Sequence, residues 1–461
     1  MKKLAVILLI AISVYACTQA IKNGSGQKPY NTLCYNGKDV FCSQLPDSIP
    51  EAFNDGYGTV LNDTIQPPFD VFSWQTFIAI NWPADASGNP KGGSLDSYST
   101  APRVWEHYTD PALIFNDANS TLFLHLKGAR DAGEKLLYMA SKSPHRLNGG
   151  PFNKNDFQEA DGFPLVDKNM NFAVYEIKLN KVEDTFITNN HLTTIAGIYK
   201  YAPKGLSMPG ATSLSQPGTI EVKAAWRILD PSKGDDTTRY YCRKAIIYMD
   251  AKHTTNKKEL FVTATVGLVG MHIIRNTPGF ATYLLWSSFE HVDNAPDSAQ
   301  LQENKVWSFY NPSCKTCKVN TPFNTVPSDS GKYLWSPEPP YAQYYKDSLP
   351  ARCSQVTRVN NVYAPTDTIN GFWRAQLKSK GSVWANYRLI GTQWKRNGDF
   401  PGGSSVAPAP PILANTTMET YLQPVANCIG CHGGANVIFT GTNPPDTIST
   451  ALSWVIAFGA H

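Results

Sequence analysis

Apolar residues recur along this chain in more than one rhythm, and the changes of rhythm mark the expected elements. Over residues 70–82 (DVFSWQTFIAINW) Trp74, Phe77 and Ile78 fall at i, i+3 and i+4. That spacing predicts a helix with one face in the core, Asp70 near its cap and Pro83 as its stop. From residue 218 to 291 the pattern shifts to β-branched and aromatic runs: GTIEVKAAWRIL, RYYCRKAIIYM, ELFVTATVGLVGMHII and TYLLWSSFEHV. Turn chemistry separates them at residues 230–235 (DPSKGD) and 276–279 (NTPG). Such runs predict an antiparallel meander at the heart of a large domain. Residues 370–385 return to a helical pattern, and residues 445–460 (PDTISTALSWVIAFGA) read as a closing helix capped by Asp446.

The intervening stretches are polar. Residues 17–67 are turn-rich, residues 311–367 are loop-rich, and residues 402–411 (GGSSVAPAPP) form a Pro/Gly/Ser linker. The expected organisation is a signal at 1–16, a tether and irregular entry segment at 17–67, a large β-rich domain at 68–401, the linker at 402–411 and a small α-helical module at 412–461. With 33 Gly, 33 Pro and 12% aromatic residues, the composition favours loops and strands over a helical bundle. The fold class is therefore expected to be α+β.

Lys2 and Lys3 precede an apolar run at residues 4–16, too short to span a bilayer comfortably, which reads as an export signal. Val14-Tyr15-Ala16-Cys17 resembles a bacterial lipobox, although Tyr15 stands where a small residue is usual. Cys17 is then the lipidated first residue of the mature chain; ordinary cleavage after Ala16 is the alternative. Thr18 is not acidic, which favours the outer membrane facing the periplasm, with the lipid as the expected membrane attachment. The net charge is +4 over the whole chain, no footprint for nucleic acid.

Nine cysteines change the picture most. Cys428-Ile429-Gly430-Cys431-His432 reads C-x-x-C-H, the attachment signature of haem c. Two thiols a helical turn apart form thioethers to the haem vinyl groups. The adjoining histidine is the proximal iron ligand. A disulfide followed by an unrelated histidine is the competing reading. Residues 412–461 thereby become a cytochrome c module with one covalent haem. Cys34, Cys42, Cys242, Cys314, Cys317 and Cys353 remain, an even number that an exported protein is expected to pair, with Cys34–Cys42 the favoured local bridge. Cys314 and Cys317 are followed by Lys318, so they are not a second haem site; zinc is a weak alternative there.

No methionine follows His432, so the motif does not bring its own distal ligand. His272, flanked by apolar residues in VGLVGMHII, is either a core histidine bonded to backbone or a distal ligand; adjacent Met271 would face the other side of a strand. Arg275 is read as either a haem-propionate partner or a surface ion pair. Met418 reads as core, His291 as part of a polar network at a strand end, and Trp74, Trp82, Trp286, Trp384 and Trp394 as core aromatics that near a haem would screen solvent. No G-x-S-x-G, H-E-x-x-H, P-loop or complete G-x-G-x-x-G is present, leaving hydrolase, NTPase and nicotinamide readings without support.

Four regions carry a resemblance: FSWQTFIAINWP with VWEHYTDP; VGLVGMHIIRNTPGFATYLLWSSFEHVDNAP; ANYRLIGTQW; and LANTTMETYLQPVANCIGCHGGA. In these the chain resembles exported bacterial proteins of the cytochrome c family. The resemblance implies one covalent haem on a long non-haem domain, with Cys428, Cys431 and His432 binding it, and it implies no particular reaction. Three functions follow in order of expectation. The first is an electron-transfer lipoprotein served by a redox partner protein or a quinol-linked donor. The second is an oxidase- or peroxidase-like haem enzyme with His272 and Arg275 as its distal pair. The third is a haem-bearing binding module.

Overall fold

The computed structural model describes residues 40–46, 49, 66–97, 100–138, 163–213, 216–277, 284–301, 305–314, 316–322, 333–344, 349–350, 353–394 and 410–461. Among them the chain is α+β. The helices are α1 (Gln66–Ile80), α2 (Ala112–Phe115), α3 (Thr121–Asp131), α4 (Lys181–Asn189), α5 (Ile195–Tyr201), α6 (Ala364–Ser379), α7 (Cys428–His432) and α8 (Trp454–Gly459). The principal sheet has seven strands: β1 (Leu136–Leu137), β2 (Val174–Leu179), β3 (Ile220–Ile228), β4 (Cys242–Met249), β5 (Leu260–Arg275), β6 (Leu285–His291) and, later in the chain, β10 (Tyr387–Gln393). Between them, β7 (Tyr333–Trp335), β8 (Ala342–Tyr344) and β9 (Leu349–Pro350) form a small separate sheet.

The predicted strands form, but not as a simple meander. β3 pairs antiparallel with β5, from Ile220 opposite Arg275 to Ile228 opposite Val266, and skips β4. The 16-residue β5 explains this. Its first half takes β4 on its other side, with Met249 opposite Leu260, and its second half takes β6, with Gly270 opposite Glu290. β10 then adds to β6 and β2 to β3.

Because strand side chains alternate, each strand serves two cores. Ile220, Val222, Ala224 and Trp226 of β3, with Met271 and Ile273 of β5 and Phe289 of β6, face α1 and α6. There Trp74 stacks on Trp373 at 5.8 Å, meets Phe289 edge-on at 5.1 Å, and donates from Nε1 to Asn370 at 3.1 Å. On the opposite face, Tyr175, Ile177, Ala225, Ile274 and Trp286 share a core with Met418, Ile429, Val437, Ile448, Val455 and Ile456 of the C-terminal segment.

Several expectations are corrected in detail. α1 starts at Gln66, four residues earlier than predicted, with Pro67 and Pro68 in its first turn where their missing N–H groups are harmless. Asp70 is consequently inside the helix and buried, accepting from Gln66 Nε2 at 2.9 Å and Thr366 Oγ1 at 2.6 Å. α6 likewise starts at Ala364 and ends at Ser379, before Gly381 turns the chain at φ +68°.

The closing helix is half strand. β12 (Asp446–Ser449) pairs antiparallel with β11 (Asn436–Phe439), and α8 begins only at Trp454, capped by Ser453. β-branched Thr447, Ile448 and Thr450 favour the hairpin over helix. The segment from 412 onward is thus two short helices and a hairpin, where an α-helical module was expected, and its core is continuous with the large sheet. Most of the predicted linker, residues 402–409, lies outside the described residues, as do the signal region and Cys17.

The cysteines pair only in part. Cys314 and Cys317 form a disulfide, which removes the zinc alternative, and Cys42 is disulfide-bonded while Cys34 lies outside the described residues. Cys242 and Cys353 are thiols, against the expectation that all six would pair. Each sits in its own partly or fully buried place, with burial pushing Cys242 up to about 11 and Cys353 up to about 12. Among the described residues no helix is long and apolar enough to cross a membrane.

Candidate haem-attachment site

α7 consists of the motif itself, Cys428–His432. Asn427 caps it, its side chain accepting from the Gly430 N–H at 2.7 Å. One turn of helix places positions i, i+3 and i+4 on one side, so Cys428, Cys431 and His432 project together. Ile429 turns the other way into the core, and its N–H donates to Gln393 Oε1 of β10 at 2.9 Å. The motif is therefore pinned to the sheet by the one residue between its cysteines that has a side chain to bury.

Cys428 is half-buried and Cys431 exposed, and neither is in a disulfide, whereas the other C-x-x-C of the chain is closed. His432 Nδ1 lies 2.7 Å from the Leu452 carbonyl oxygen. A carbonyl only accepts, so Nδ1 carries the proton and the neutral ring carries its lone pair on Nε2. That is the tautomer an iron-ligating histidine needs, oriented by the backbone hydrogen bond common to metal-bound imidazoles. Trp286 of β6 packs against the ring at 5.4 Å with its plane tilted by 62°.

The carbonyl that fixes this tautomer sits in a strained turn. Ala451 and Leu452 both have positive φ, 54° and 67°, a conformation that L-residues with side chains rarely adopt. Each such residue costs on the order of 1–3 kcal/mol and persists where its surroundings over-determine it. Here they do. The Thr450 N–H donates to the Ala435 carbonyl at 3.1 Å. Its hydroxyl lies 2.9 Å from the same oxygen and 2.8 Å from that of Ser453. Ser453 in turn donates from Oγ to Glu221 Oε1 of β3 at 2.6 Å. Glu221 adjoins a second buried carboxyl, Glu183 of α4, which burial first and the Glu221 charge second push well above the carboxylate range.

Around this site the sheet contributes two cross-strand rows. One runs Glu221, Ile274, Trp286, Gln393, and the next Lys223, His272, Ser288. His272 is thus on the side that the C-terminal segment covers, as the alternation with Met271 predicted; Asn81 Nδ2 meets the Met271 sulfur on the other side at 3.9 Å. The His272 Nε2 atom lies 3.5 Å from Glu419 Oε2. Arg275 does not join it. Its Nη1 donates to Thr76 Oγ1 of α1 at 2.9 Å and its guanidinium lies over the Phe72 ring at 4.8 Å. The predicted pair His272–Arg275 is therefore split between opposite faces, because residues three apart in a strand point opposite ways.

Met418 is fully buried in the shared core. His291 is structural: it accepts from the Asp293 N–H at Nδ1, and Nε2 donates to the Arg239 carbonyl at 2.9 Å. Burial pushes it down to about 4, so it is neutral.

Sequence reasoning missed the residues that dock the segment. Glu290, only 1% exposed, pairs with Arg358 and Arg388 and accepts from the Thr416 N–H at 3.0 Å and the Thr416 hydroxyl at 2.7 Å. Asn415 Nδ2 donates to the Phe289 carbonyl at 2.7 Å. Lys223 was missed too. The available signal was a charge inside an otherwise apolar strand run, at Glu221, Lys223 and Glu290.

The donor set fits a covalent haem: two thiols, one oriented imidazole, all on one turn of helix. Among the described residues no cluster of three or more His, Cys, Asp or Glu is placed to hold a bare metal ion, and a porphyrin-held iron asks for no such cluster. No family model matches this chain, and no match is found among the curated proteins or the solved structures.

Proposed function

We propose that this chain is a c-type monohaem cytochrome acting in electron transfer in the bacterial cell envelope. In this reading Cys428 and Cys431 carry the haem thioethers, His432 is the proximal ligand, and a lipid on Cys17 anchors the protein at the outer membrane facing the periplasm. The observation that carries it is the C-x-x-C-H turn whose histidine is held at Nδ1 by the Leu452 carbonyl. The haem, when attached, supplies reversible one-electron chemistry. The chain's own residues do the rest. Leu452 fixes the ring tautomer, Trp286 walls the ring, and Gln393 and Ile429 fasten the motif to a rigid sheet. A rigid, partly dry mounting keeps reorganisation small when charge moves. The electron source is a redox partner protein or a quinol-linked donor.

The enzyme reading, motivated by the large domain and the missing downstream methionine, took His272 and Arg275 as its distal pair, and Arg275 donates to Thr76 on the opposite face. That leaves the electron-transfer reading as the better supported. The test is expression of the full chain in a host with c-type maturation, followed by intact mass and a pyridine haemochrome spectrum. One covalent haem per chain, abolished in the double variant Cys428→Ala, Cys431→Ala, is expected. A matured wild-type chain without covalent haem sinks the reading.

A further inference from the structure

We propose that the buried carboxyl pair Glu183–Glu221 holds a proton that it gives up when the haem iron is oxidised and takes back when the iron is reduced. The inference rests on the haem reading above and goes beyond it by adding proton transfer to the electron transfer assigned there.

Glu183 and Glu221 are 0% and 1% exposed. The backbone brings them together where β2 leads into α4. Leu179 of β2 pairs with Glu221 of β3, the Asn180 N–H donates to the Ile220 carbonyl at 3.0 Å, and the Asn180 side chain accepts from the Glu183 N–H at 3.1 Å. The two carboxyls lie within hydrogen-bonding reach of each other. Glu221 Oε1 accepts from the Ser453 hydroxyl at 2.6 Å. Glu183 Oε1, Glu183 Oε2 and Glu221 Oε2 have no donor among the described residues. Two such carboxylates repel each other where screening is poor, and one proton between them turns the repulsion into a hydrogen bond. Glu221 is the acceptor, because Ser453 donates to it and Lys223, two positions along the same face of β3, attracts its charge. The proton therefore sits on Glu183. The neighbouring charges are engaged elsewhere. On α4, Asp184 accepts from Thr109 Oγ1 at 3.0 Å and from Lys181 at 3.2 Å. Lys178 of β2 lies 3.7 Å from Asp110, Lys200 of α5 is exposed, and Arg275 of β5 is on the opposite face with Thr76. His461 Nδ1 lies 3.1 Å from the Gly459 carbonyl oxygen.

Two contacts join the pair to the proximal side of the haem site. Ser453 follows Leu452, whose carbonyl accepts from His432 Nδ1 at 2.7 Å. Trp286, which packs against the His432 ring at 5.4 Å, stands in the same cross-strand row as Glu221. Oxidation leaves one more positive charge on the iron and its imidazole, which favours the ionised pair; reduction removes that charge and favours the protonated one. Both routes run through buried groups, where charges are weakly screened. On reduction one electron enters the iron from the redox partner or quinol-linked donor, and one proton from solvent binds the Glu183 carboxylate. On oxidation both leave. Burial first and the Glu221 charge second hold Glu183 well above the carboxylate range, so the exchange falls at higher pH than for an ordinary glutamate.

The experiment uses the full, haem-matured chain, with covalent haem read from intact mass. The midpoint potential is titrated from about pH 5 to about pH 9 in wild type, Glu183→Gln and Glu221→Gln. The wild-type potential should fall with rising pH over part of this range, with a slope of up to one proton per electron, about 59 mV per tenfold change in proton activity. Haem propionates titrate in all three proteins, so the difference between them carries the test. Glu183→Gln, whose amide donates permanently to Glu221, should lose the pair's share of the slope. Glu221→Gln, which lacks the neighbouring charge, should show it displaced to lower pH. Reduced-minus-oxidised infrared spectra should contain the carbonyl stretch of a protonated carboxyl, shifted in D₂O and absent from Glu183→Gln. Equal slopes in wild type and Glu183→Gln, with haem attached in both, overturn the proposal, as does a difference spectrum without that band. Absence of covalent haem overturns the haem reading instead, and this proposal with it.

Discussion

Replacing Glu290 by glutamine should detach the C-terminal segment from the sheet without altering a single apolar contact. Glu290 Oε1 faces Arg358 and Arg388, and Oε2 accepts from both the N–H and the hydroxyl of Thr416. Every neighbour on both oxygens is a donor. A glutamine amide must point its NH₂ at one of these pairs, so one side becomes donor against donor. Breaking a buried ion pair by removing one partner costs roughly 3–5 kcal/mol, and an orphaned buried N–H about 1–3 kcal/mol. The two overlap here, and a loss of about 4 kcal/mol is expected. Burial pushes the Glu290 carboxyl up, but Arg358, Arg388 and the Thr416 N–H outweigh it and hold it below the ordinary 4.5. A depressed carboxylate contributes stability that is present above its unfolded pKa and lost as pH falls through its folded value. The gap between wild type and Glu290→Gln should therefore be full at pH 7 and narrow below about pH 4.5. Urea unfolding followed by tryptophan fluorescence, at pH 7 and through the acid range, measures both. Thr416→Val, which removes only the hydroxyl, should cost about 1 kcal/mol. A Glu290→Gln loss below about 1 kcal/mol, or one independent of pH, would refute the reasoning.

Three further outcomes follow from the same geometry. Ser453→Ala removes both the cap of α8 and the partner of Glu221 and should cost about 2–3 kcal/mol in the same assay, with Ser453→Thr recovering most of it. Ala451→Gly should stay within about 0.5 kcal/mol of wild type because relief of the positive φ offsets the usual glycine penalty; a loss of about 1 kcal/mol or more speaks against strain in that turn. Burial pushes Asp70 from the ordinary 3.8 up to about 6, an effect worth about 3 kcal/mol. A raised carboxyl contributes stability that is full below its unfolded pKa and lost as pH rises through about 6. Asp70→Asn should thus gain on wild type between about pH 4 and pH 7, and parallel pH profiles for the two would contradict this.

What could be read in the sequence was what local chemistry decides. The C-x-x-C-H turn is legible because its three reactive groups lie within five residues. Four of the seven strands of the large sheet, β3 to β6, are legible as β-branched and aromatic runs, while β1, β2 and β10 are not, and strand alternation correctly set His272 and Met271 on opposite faces. The same alternation should have separated His272 from Arg275, three positions apart; spacing that brings side chains together on a helix divides them on a strand. What stayed hidden depends on pairings distant in sequence. Nothing near Lys223 reveals that His272 will lie opposite it, because β3 bypasses β4 to reach β5. Glu290 acquires its meaning only when Arg358, Arg388 and Thr416 converge on it. The closing helix was misjudged because Asp446 resembles a cap, while the competing strand needed β11 as partner. An even count of cysteines misled for a similar reason: Cys242 and Cys353 share an expected compartment but no neighbourhood.

The sharing of one core between the sheet and the C-terminal segment also sets an order of assembly. Synthesis runs from the N-terminus, so every strand of the principal sheet, through Gln393 of β10, exists before Cys428 is made. The receiving face, with Trp286, Lys223 and Glu290, can be complete while the motif is still part of an undocked tail. Leu452, which aligns His432, arrives twenty residues later still. There is consequently an interval in which both thiols are accessible and the histidine is unaligned. Closure of the tail onto the sheet ends that interval, so under the proposed haem reading the docking contacts would time cofactor loading as well as clamp the finished protein.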